Sequence, residues 1–413
     1  MNYDCIIIGG GAAGAMAAIT AADCGKNVLI IEKNDHLGRK LRITGKGRCN
    51  VTNNCDRDTF MANIPVNSRF LFSAYSKFSS EDTMDFFERL GVPLKTERGN
   101  RVFPVSDKAE DIVNALKDAI SERSITVKKG KVTDIIIEDG TARGVILNGN
   151  PIYGESVLIA TGGKSYPVTG SDGDGYIFAK KAGHRITPIK PSLVPIISEE
   201  KYCADMMGLS LKNVTLKLFD TKTNKELYSE MGEMLFTHFG VSGPLVLSAS
   251  SHIRKMERGR YKLLIDLKPA LDEKTLDNRI QRDFSSEKNR DFVNSLGKLL
   301  PAKLIPVIVK LSGIAPEKKV NQITREERFK LMNLIKNFPV TVKDFRPIDE
   351  AIITSGGVDV SEINPKTMES KLIKGLYFAG EVIDADGYTG GFNLQIAFST
   401  AYSAGLAMGQ YDH

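Results

Sequence analysis

Three glycines, one acid and the spacing between them carry the first chemistry in the chain. Gly9, Gly11 and Gly14 follow the apolar run Cys5-Ile6-Ile7-Ile8 and open an alanine-rich stretch, and Glu32 ends a second apolar run, Val28-Leu29-Ile30-Ile31. That arrangement grips a dinucleotide. Gly9 allows the tight turn out of the strand, Gly11 lets the backbone approach a pyrophosphate, and Gly14 permits close contact between helix and strand. The helix start at Ala12 and Ala13 turns its N–H groups toward negative charge. Glu32, with Lys33 beside it, sits where ribose hydroxyls are taken up. A glycine turn alone carries little weight; the flanking strand, the helix and the acid at the expected distance give it meaning.

The far end of the chain offers a second wall. Gly375 to Asp384 reads as a strand ending in Gly380, Glu381 and Asp384, and Gly390-Gly391-Phe392-Asn393-Leu394-Gln395 follows as a glycine turn opening a helix. Such a turn presents N–H groups and a helix dipole to a ring that gains charge on reduction, as a flavin does. In between, the buried-type strand Ser156–Ala160 ends in Thr161-Gly162-Gly163, and Thr354-Ser355-Gly356-Gly357 forms another loop where no Cβ blocks a close approach. Gly170 to Gly175 is rich in glycine and aspartate but lacks the later glutamate of a calcium loop, so it reads as the cap of a helix from Tyr176 to Ala182, and no metal site is expected. His238, one of five histidines, lies between Glu233 and Pro244 in a segment with glycines. It is the candidate proton relay, with a hydrogen-bonded structural histidine as the alternative.

The elements that must position these residues are those of an α/β protein. At 413 residues the chain exceeds one compact core, and 42% hydrophobic with 26% charged residues is ordinary globular composition. No apolar run reaches membrane-span length and the first residues lack a basic n-region, so a cytoplasmic, non-membrane protein is expected. Five scattered cysteines contain no CxxC pair. The net charge of +6 is spread along the chain without basic tracts, so no nucleic-acid partner is expected. Residues 1–187 alternate strands and helices, with helical faces over Ser80–Leu90 and Ala109–Arg123, and Ile125–Val127, Lys131–Glu138 and Arg143–Leu147 read as an antiparallel meander. From 188 to 270 strands dominate, 271–340 reads as a small helical subdomain, and Val340-Thr341-Val342 leads back toward the sheet.

The run Leu37-Gly38-Arg39-Lys40-Leu41-Arg42-Ile43-Thr44-Gly45-Lys46-Gly47-Arg48-Cys49-Asn50-Val51-Thr52-Asn53, taken with Gly9–Gly14, Ala160–Gly163 and Gly380–Gln395, resembles the BaiN-like flavoproteins, also called the aminoacetone oxidase family. The likeness runs nearly end to end. It implies a Rossmann-like, glutathione-reductase-type FAD domain built from 1–187 and 341–413, with a barrel-like insert at 188–270 and helices at 271–340. It implies FAD with its pyrophosphate over Gly11–Gly14, its adenosine ribose on Glu32, and its ring between Lys40–Asn50 and Gly390–Gln395. Lys40, Arg42, Thr44, Gly45, Gly47, Arg48, Cys49 and Asn50 would form that loop, and Gly380, Glu381 and Asp384 would meet the ribityl and phosphate region. Cys49, a lone cysteine, also reads as a packed residue.

The expected activity is an FAD-dependent oxidoreductase that takes hydride from NADH or NADPH and passes it to a small enone-like or steroid-like molecule. No second glycine fingerprint marks a separate nicotinamide domain. An amine oxidase that uses dioxygen and releases hydrogen peroxide is the enzymatic alternative. A flavin-binding tRNA-modification or interaction protein is the alternative from another class. Oligomeric state is not legible.

Overall fold

Two compact units, Met1–Ser192 with Ile348–His413 and Leu193–Pro347, divide the chain in this computed structural model, which describes residues 3–410. In the first, β1 (Tyr3–Ile8) runs into α1 (Ala12–Asp23) and then β2 (Val28–Glu32). β1 and β2 are buried along nearly their whole length, as strands covered on both faces must be, which accounts for their continuous apolar runs. β1 lies parallel to β2 on one side and to Asn150–Ile159 on the other. Leu376–Phe378 pairs in parallel with the same Asn150–Ile159 strand, which brings the end of the chain to the sheet centre.

The sheet departs from the sequence reading at its edge. Thr126–Lys129 is not part of the meander; it pairs in parallel with β2. The antiparallel meander is instead Val132–Glu138, Thr141–Leu147 and Asn150–Ile159. Its first turn is Asp139-Gly140, both with positive φ, the hairpin geometry that right-twisted strands favour. A short antiparallel sheet of Thr52–Asn53, Arg101–Pro104 and Leu94–Glu97 lies beside the cofactor-type motifs. The helix Phe392–Gly409 packs against α1 so tightly that a Cβ at Gly405 would fall 2.7 Å from the Ala17 carbonyl oxygen.

The second unit is a closed antiparallel barrel of Ile196–Ser198, Gly240–Ser242, Lys225–Thr237, Ser210–Asp220, Tyr261–Asp266 and Phe338–Phe345. Alternate residues Val214, Leu216 and Leu218, Leu263 and Ile265, and Phe338, Val340 and Val342 are buried inside, the period of two that defines a strand's inner face. Val340–Val342 therefore closes this barrel and does not return to the parallel sheet. The helices Glu273–Ser286 and Arg325–Lys336 bury Leu276, Ile280, Leu331 and Ile335 in the same hydrophobic cluster as the barrel. They form one core with it and are not a separate subdomain. Among the described residues no helix is long and apolar enough to cross a membrane, and no cluster of metal-ligating side chains occurs.

Candidate functional site

The glycines of the first turn play different physical parts. Gly9 has φ of +103°, and a Cβ there would lie 2.6 Å from the Ala160 carbonyl oxygen, so the turn needs glycine for conformation and for contact. At Gly14 a Cβ would lie 1.8 Å from the Gly9 carbonyl oxygen; α1 can sit on the turn only without it. Gly11 is the opposite case. No protein atom lies within 4 Å of a Cβ built there, so its position faces open space. Gly11 is also the N-cap of α1; no side chain caps the helix and its first turn holds no acid. The N–H groups of that turn are free to meet an anion from outside the chain.

Glu32 is buried and holds the turn from the other side. Its Oε2 accepts from the Gly10 N–H at 2.8 Å, and its Oε1 accepts from Asn34 N and Nδ2, each at 2.8 Å. A carboxylate with about four acceptor sites keeps capacity for a hydroxyl donor. Lys33 is committed elsewhere, to Asp172 at 2.6 Å and Asp174 at 3.1 Å. The loop Gly170–Gly175 thus contributes its aspartates to this lysine, and the helix Asp174–Lys181 that follows starts at Gly173 without a side-chain cap.

The segment after β2 winds back onto the turn, with the Gly38 N–H donating to the Gly10 carbonyl at 2.9 Å. Thr44, Gly45 and Lys46 leave helical geometry, and Gly45, Lys46, Gly47 and Cys49 all have positive φ. Arg42 and Arg48 are held as structural braces. Arg42 donates to Glu110 and to the Leu37 carbonyl; Arg48 pairs with Glu97 and Asp107 and lies over the Phe103 ring. Thr44 spends its hydroxyl on the Leu41 carbonyl. Cys49 is fully buried and burial pushes its thiol up to about 12, so it is a packed residue without thiolate chemistry. Asn50 stands apart: its Oδ1 is buried and has no hydrogen-bond partner.

The two chain ends meet here. Gly380, with φ of +76°, places its Cα so close to α1 that a Cβ would lie 2.9 Å from Ala13 Cβ. Lys40 Nζ donates to Glu381 Oε2 at 2.6 Å and to Ser165 Oγ at 2.8 Å, while Glu381 Oε1 accepts from the Thr354 N–H at 2.8 Å and from Ser165 Oγ at 3.0 Å. Thr354 Oγ1 in turn accepts from the N–H groups of Lys164 and Ser165. This network gives Thr354 a specific task and brings in Ser165, which no local pattern marks. Gly162, with φ of +75°, abuts Ser171, and Thr161 Oγ1 beside it is a second buried atom with no partner.

Gly390 and Gly391 lie on the strand Thr52–Asn53. Asn53 Nδ2 donates to the Gly390 carbonyl at 2.9 Å, and a Cβ at Gly391 would fall 2.3 Å from the Thr52 carbonyl oxygen. The helix they open, Phe392–Gly409, again has a glycine N-cap and no side-chain cap. Asn393 is spent on Gly387 and Tyr388, and Phe392 packs against Phe60. Gln395 is fully buried; its amide accepts from Thr52 and Thr83 hydroxyls and donates to the Phe78 carbonyl and Ser399. It supports the turn and its side chain has no capacity left for a ligand. Burial pushes the Asp384 carboxyl up, against hydrogen bonds from Thr187 and Asn67. His238 lies in the other unit, exposed, in the two-residue turn between Lys225–Thr237 and Gly240–Ser242, with its ring 5.0 Å from that of Phe239.

A parallel sheet, an open glycine turn with an uncapped helix, an acid ending the second strand and a second uncapped helix from the far end define a Rossmann-type FAD-binding flavoprotein. The chain belongs to the HI0933-like family, whose model, the HI0933-like protein Rossmann domain, matches residues 3–407. It is 31% identical to a 3-dehydro-bile acid delta(4,6)-reductase of Clostridium scindens over 97% of this chain and 98% of that protein. It is 32% identical to a ribosomal RNA dihydrouridine synthase of Escherichia coli over 97% of both. In fold it is similar to the 3-ketosteroid-delta4-(5alpha)-dehydrogenase of Rhodococcus jostii, with a TM-score of 0.55 at 14% identity, covering 99% of this chain and 97% of that one. The protein is an FAD-dependent oxidoreductase. The orphaned Asn50 Oδ1 and Thr161 Oγ1, the open space over Gly11 and the two uncapped helix starts fit that cofactor.

Proposed function

We propose that the protein reduces a carbon–carbon double bond conjugated to a carbonyl, using NADH or NADPH as donor. The reading is supported by full-length likeness to two reductases whose names describe the same transformation on different molecules: a 4,6-diene beside a 3-ketone, and the uracil ring. In an acceptor of this kind a hydride goes to the carbon β to the carbonyl, or to the δ carbon of a dienone, and a proton to the α or γ carbon, so each double bond reduced converts one NAD(P)H and one proton into NAD(P)+ and adds two hydrogens to the acceptor. FAD, when bound, relays the hydride between donor and acceptor. No observation here favours the amine-oxidase alternative.

The chain's own residues then have these proposed tasks. The N–H groups of Gly11 to Gly14 take the pyrophosphate and Glu32 takes the adenosine ribose. Asn50 and Thr161 each offer one buried acceptor to the cofactor. The uncapped start of the helix at Phe392 lends positive dipole to the charge that accompanies reduction. Gly380, Glu381 and Lys40 fix the wall opposite α1. His238, open to solvent on its hairpin, is the proposed proton relay. The test is NAD(P)H consumption on addition of a 3-oxo-4,6-diene steroid beside its saturated 3-oxo counterpart. Consumption with the diene alone and a product gaining two hydrogens support the proposal; equal rates with both overturn it.

A further inference from the structure

The helix that opens at Gly391 runs away from the cofactor-type turn, and its far end lines a second recess within the same unit. Phe392–Gly409 is 18 residues long, so Tyr402 lies about 15 Å along the axis from Phe392 and Gly409 about 25 Å. Tyr402, Leu406 and Gln410 line an open cleft of about 630 Å³ together with Tyr377, Lys77 and Glu369, a volume in the range of small-molecule sites. Its charged groups are unlike those around the cofactor turn. Lys33, Lys40, Arg42 and Arg48 each have an acid, whereas Lys77 and Glu369 belong to no ion pair among the described residues, although both line this cleft. Both are held in place. Lys77 Nζ donates to the Lys366 carbonyl at 2.7 Å and keeps donors to spare, and Glu369 Oε1 accepts from the Gly375 N–H at 2.9 Å, which leaves the carboxylate with acceptor capacity. Apolar surface comes from Leu406 and from the Tyr402 ring, itself stacked on Phe78 with centroids 4.6 Å apart. Against the helix there is also an unmet polar atom. With about 3.6 residues per turn, Ser403 falls inside the arc that Tyr402, Ala407 and Gln410 span; it is fully buried, and its Oγ has no hydrogen-bond partner.

We propose that this cleft binds a small zwitterion of the α-amino-acid type, its carboxylate on Lys77, its ammonium on Glu369 and an apolar or aromatic side chain on Tyr402 and Leu406. A cation and an anion that line one cleft without pairing with each other are matched by a ligand that carries both charges, whereas a singly charged ligand leaves one of them without a partner. The Ser403 hydroxyl gives a polar atom of the ligand a further partner at the helix. The zwitterion is bound there and not oxidised, because the helix sets it about 15 Å or more from the uncapped start at Phe392. The inference is independent of which double bond the protein reduces.

The test is calorimetric titration of the FAD-loaded full chain with L-phenylalanine and L-leucine, and with two analogues of the first that lack one charge each, phenethylamine and 3-phenylpropionate. Wild type should bind the amino acids and prefer L-phenylalanine over either analogue by roughly 3- to 10-fold, a modest factor because the cleft is open to solvent. Lys77→Met should remove the preference over phenethylamine alone, and Glu369→Gln, which keeps a carbonyl for the Gly375 N–H, the preference over 3-phenylpropionate alone. Lys77→Arg, which keeps the charge, should bind as wild type does, and FAD content and unfolding temperature should be unchanged in all three variants. No saturable binding of either amino acid below about 10 mM, equal affinity for the zwitterion and both analogues, or unchanged preferences in the variants overturns the proposal. Anaerobic bleaching of the flavin by L-phenylalanine overturns it too, since that would put the zwitterion at the cofactor.

Discussion

Replacing Gly11 with valine should separate cofactor binding from folding. Gly11 has φ of −81° and ψ of −164°, extended backbone that a β-branched residue adopts readily, and a Cβ there meets no protein atom within 4 Å. The cofactor-free variant should therefore lose less than about 1 kcal/mol of stability, the scale of a change at an N-cap. The valine methyls instead occupy the space over the open helix start. Displacing a pyrophosphate from two N–H groups removes two hydrogen bonds to charge at about 1.5–3 kcal/mol each, so FAD affinity should drop by roughly 10² to 10⁴-fold. Flavin-to-protein absorbance ratio, quenching of FAD fluorescence on titration, and thermal unfolding of the stripped protein measure the two effects. Gly14→Ala is the contrast. Its Cβ would meet the Gly9 carbonyl oxygen at 1.8 Å, so α1 must move, at a cost of about 1–3 kcal/mol, and stability and FAD should be lost together. Full FAD occupancy in the Gly11 variant, or unfolding of its stripped form, would refute the placement of the pyrophosphate.

Gln395→Leu takes away the acceptor of the buried Thr52 hydroxyl, while Thr83 keeps the Ser79 carbonyl and the Phe78 carbonyl keeps Ser399, and should destabilise by about 1–3 kcal/mol in urea unfolding; a loss under about 0.5 kcal/mol would show that the network is dispensable. The buried Cys5, Cys49 and Cys203 should resist a thiol reagent at pH 8 while exposed Cys24 reacts at once, and rapid labelling of Cys49 in native protein would contradict its packing. Asp384→Asn should stabilise the fold at neutral pH. Burial raises this carboxyl in the folded state, so its contribution is fully present at low pH and is lost as pH rises past its ordinary value of 3.8; the gain should shrink toward zero in acid, and a variant less stable at pH 7 would contradict the sign. His238→Ala should abolish turnover with FAD retained, whereas unchanged turnover would return the ring to a structural role.

How much of this was legible depended on the range of the interactions. The grip at Gly9–Gly14 and Glu32 is local: strand, turn, helix and strand follow one another, and each glycine's reason lies within a few residues or on the neighbouring strand. Thr126–Lys129 was misplaced because its short sequence resembles the meander strands next to it, and only pairing with β2 nearly a hundred residues earlier decides its place. The same holds for Val340–Val342, whose apolar alternation suits a sheet or a barrel equally. Arg42, Arg48 and Lys33 have the types expected of phosphate ligands, but the acids that occupy them come from Glu97, Asp107, Glu110, Asp172 and Asp174 on other elements. The Lys40–Glu381 pair, joined by Ser165 across 341 positions, leaves no periodic signal at all.

The central claim, that the cofactor carries hydride from a nicotinamide to a conjugated double bond, is tested most directly by an anaerobic spectral titration. The account predicts that NADH or NADPH bleaches the flavin bands of the purified protein, and that a 3-oxo-4,6-diene steroid or uridine-containing RNA then restores them in proportion, without oxygen. Flavin left oxidised by both nicotinamides but bleached by an amine, or reduced flavin reoxidised by dioxygen alone, would contradict it.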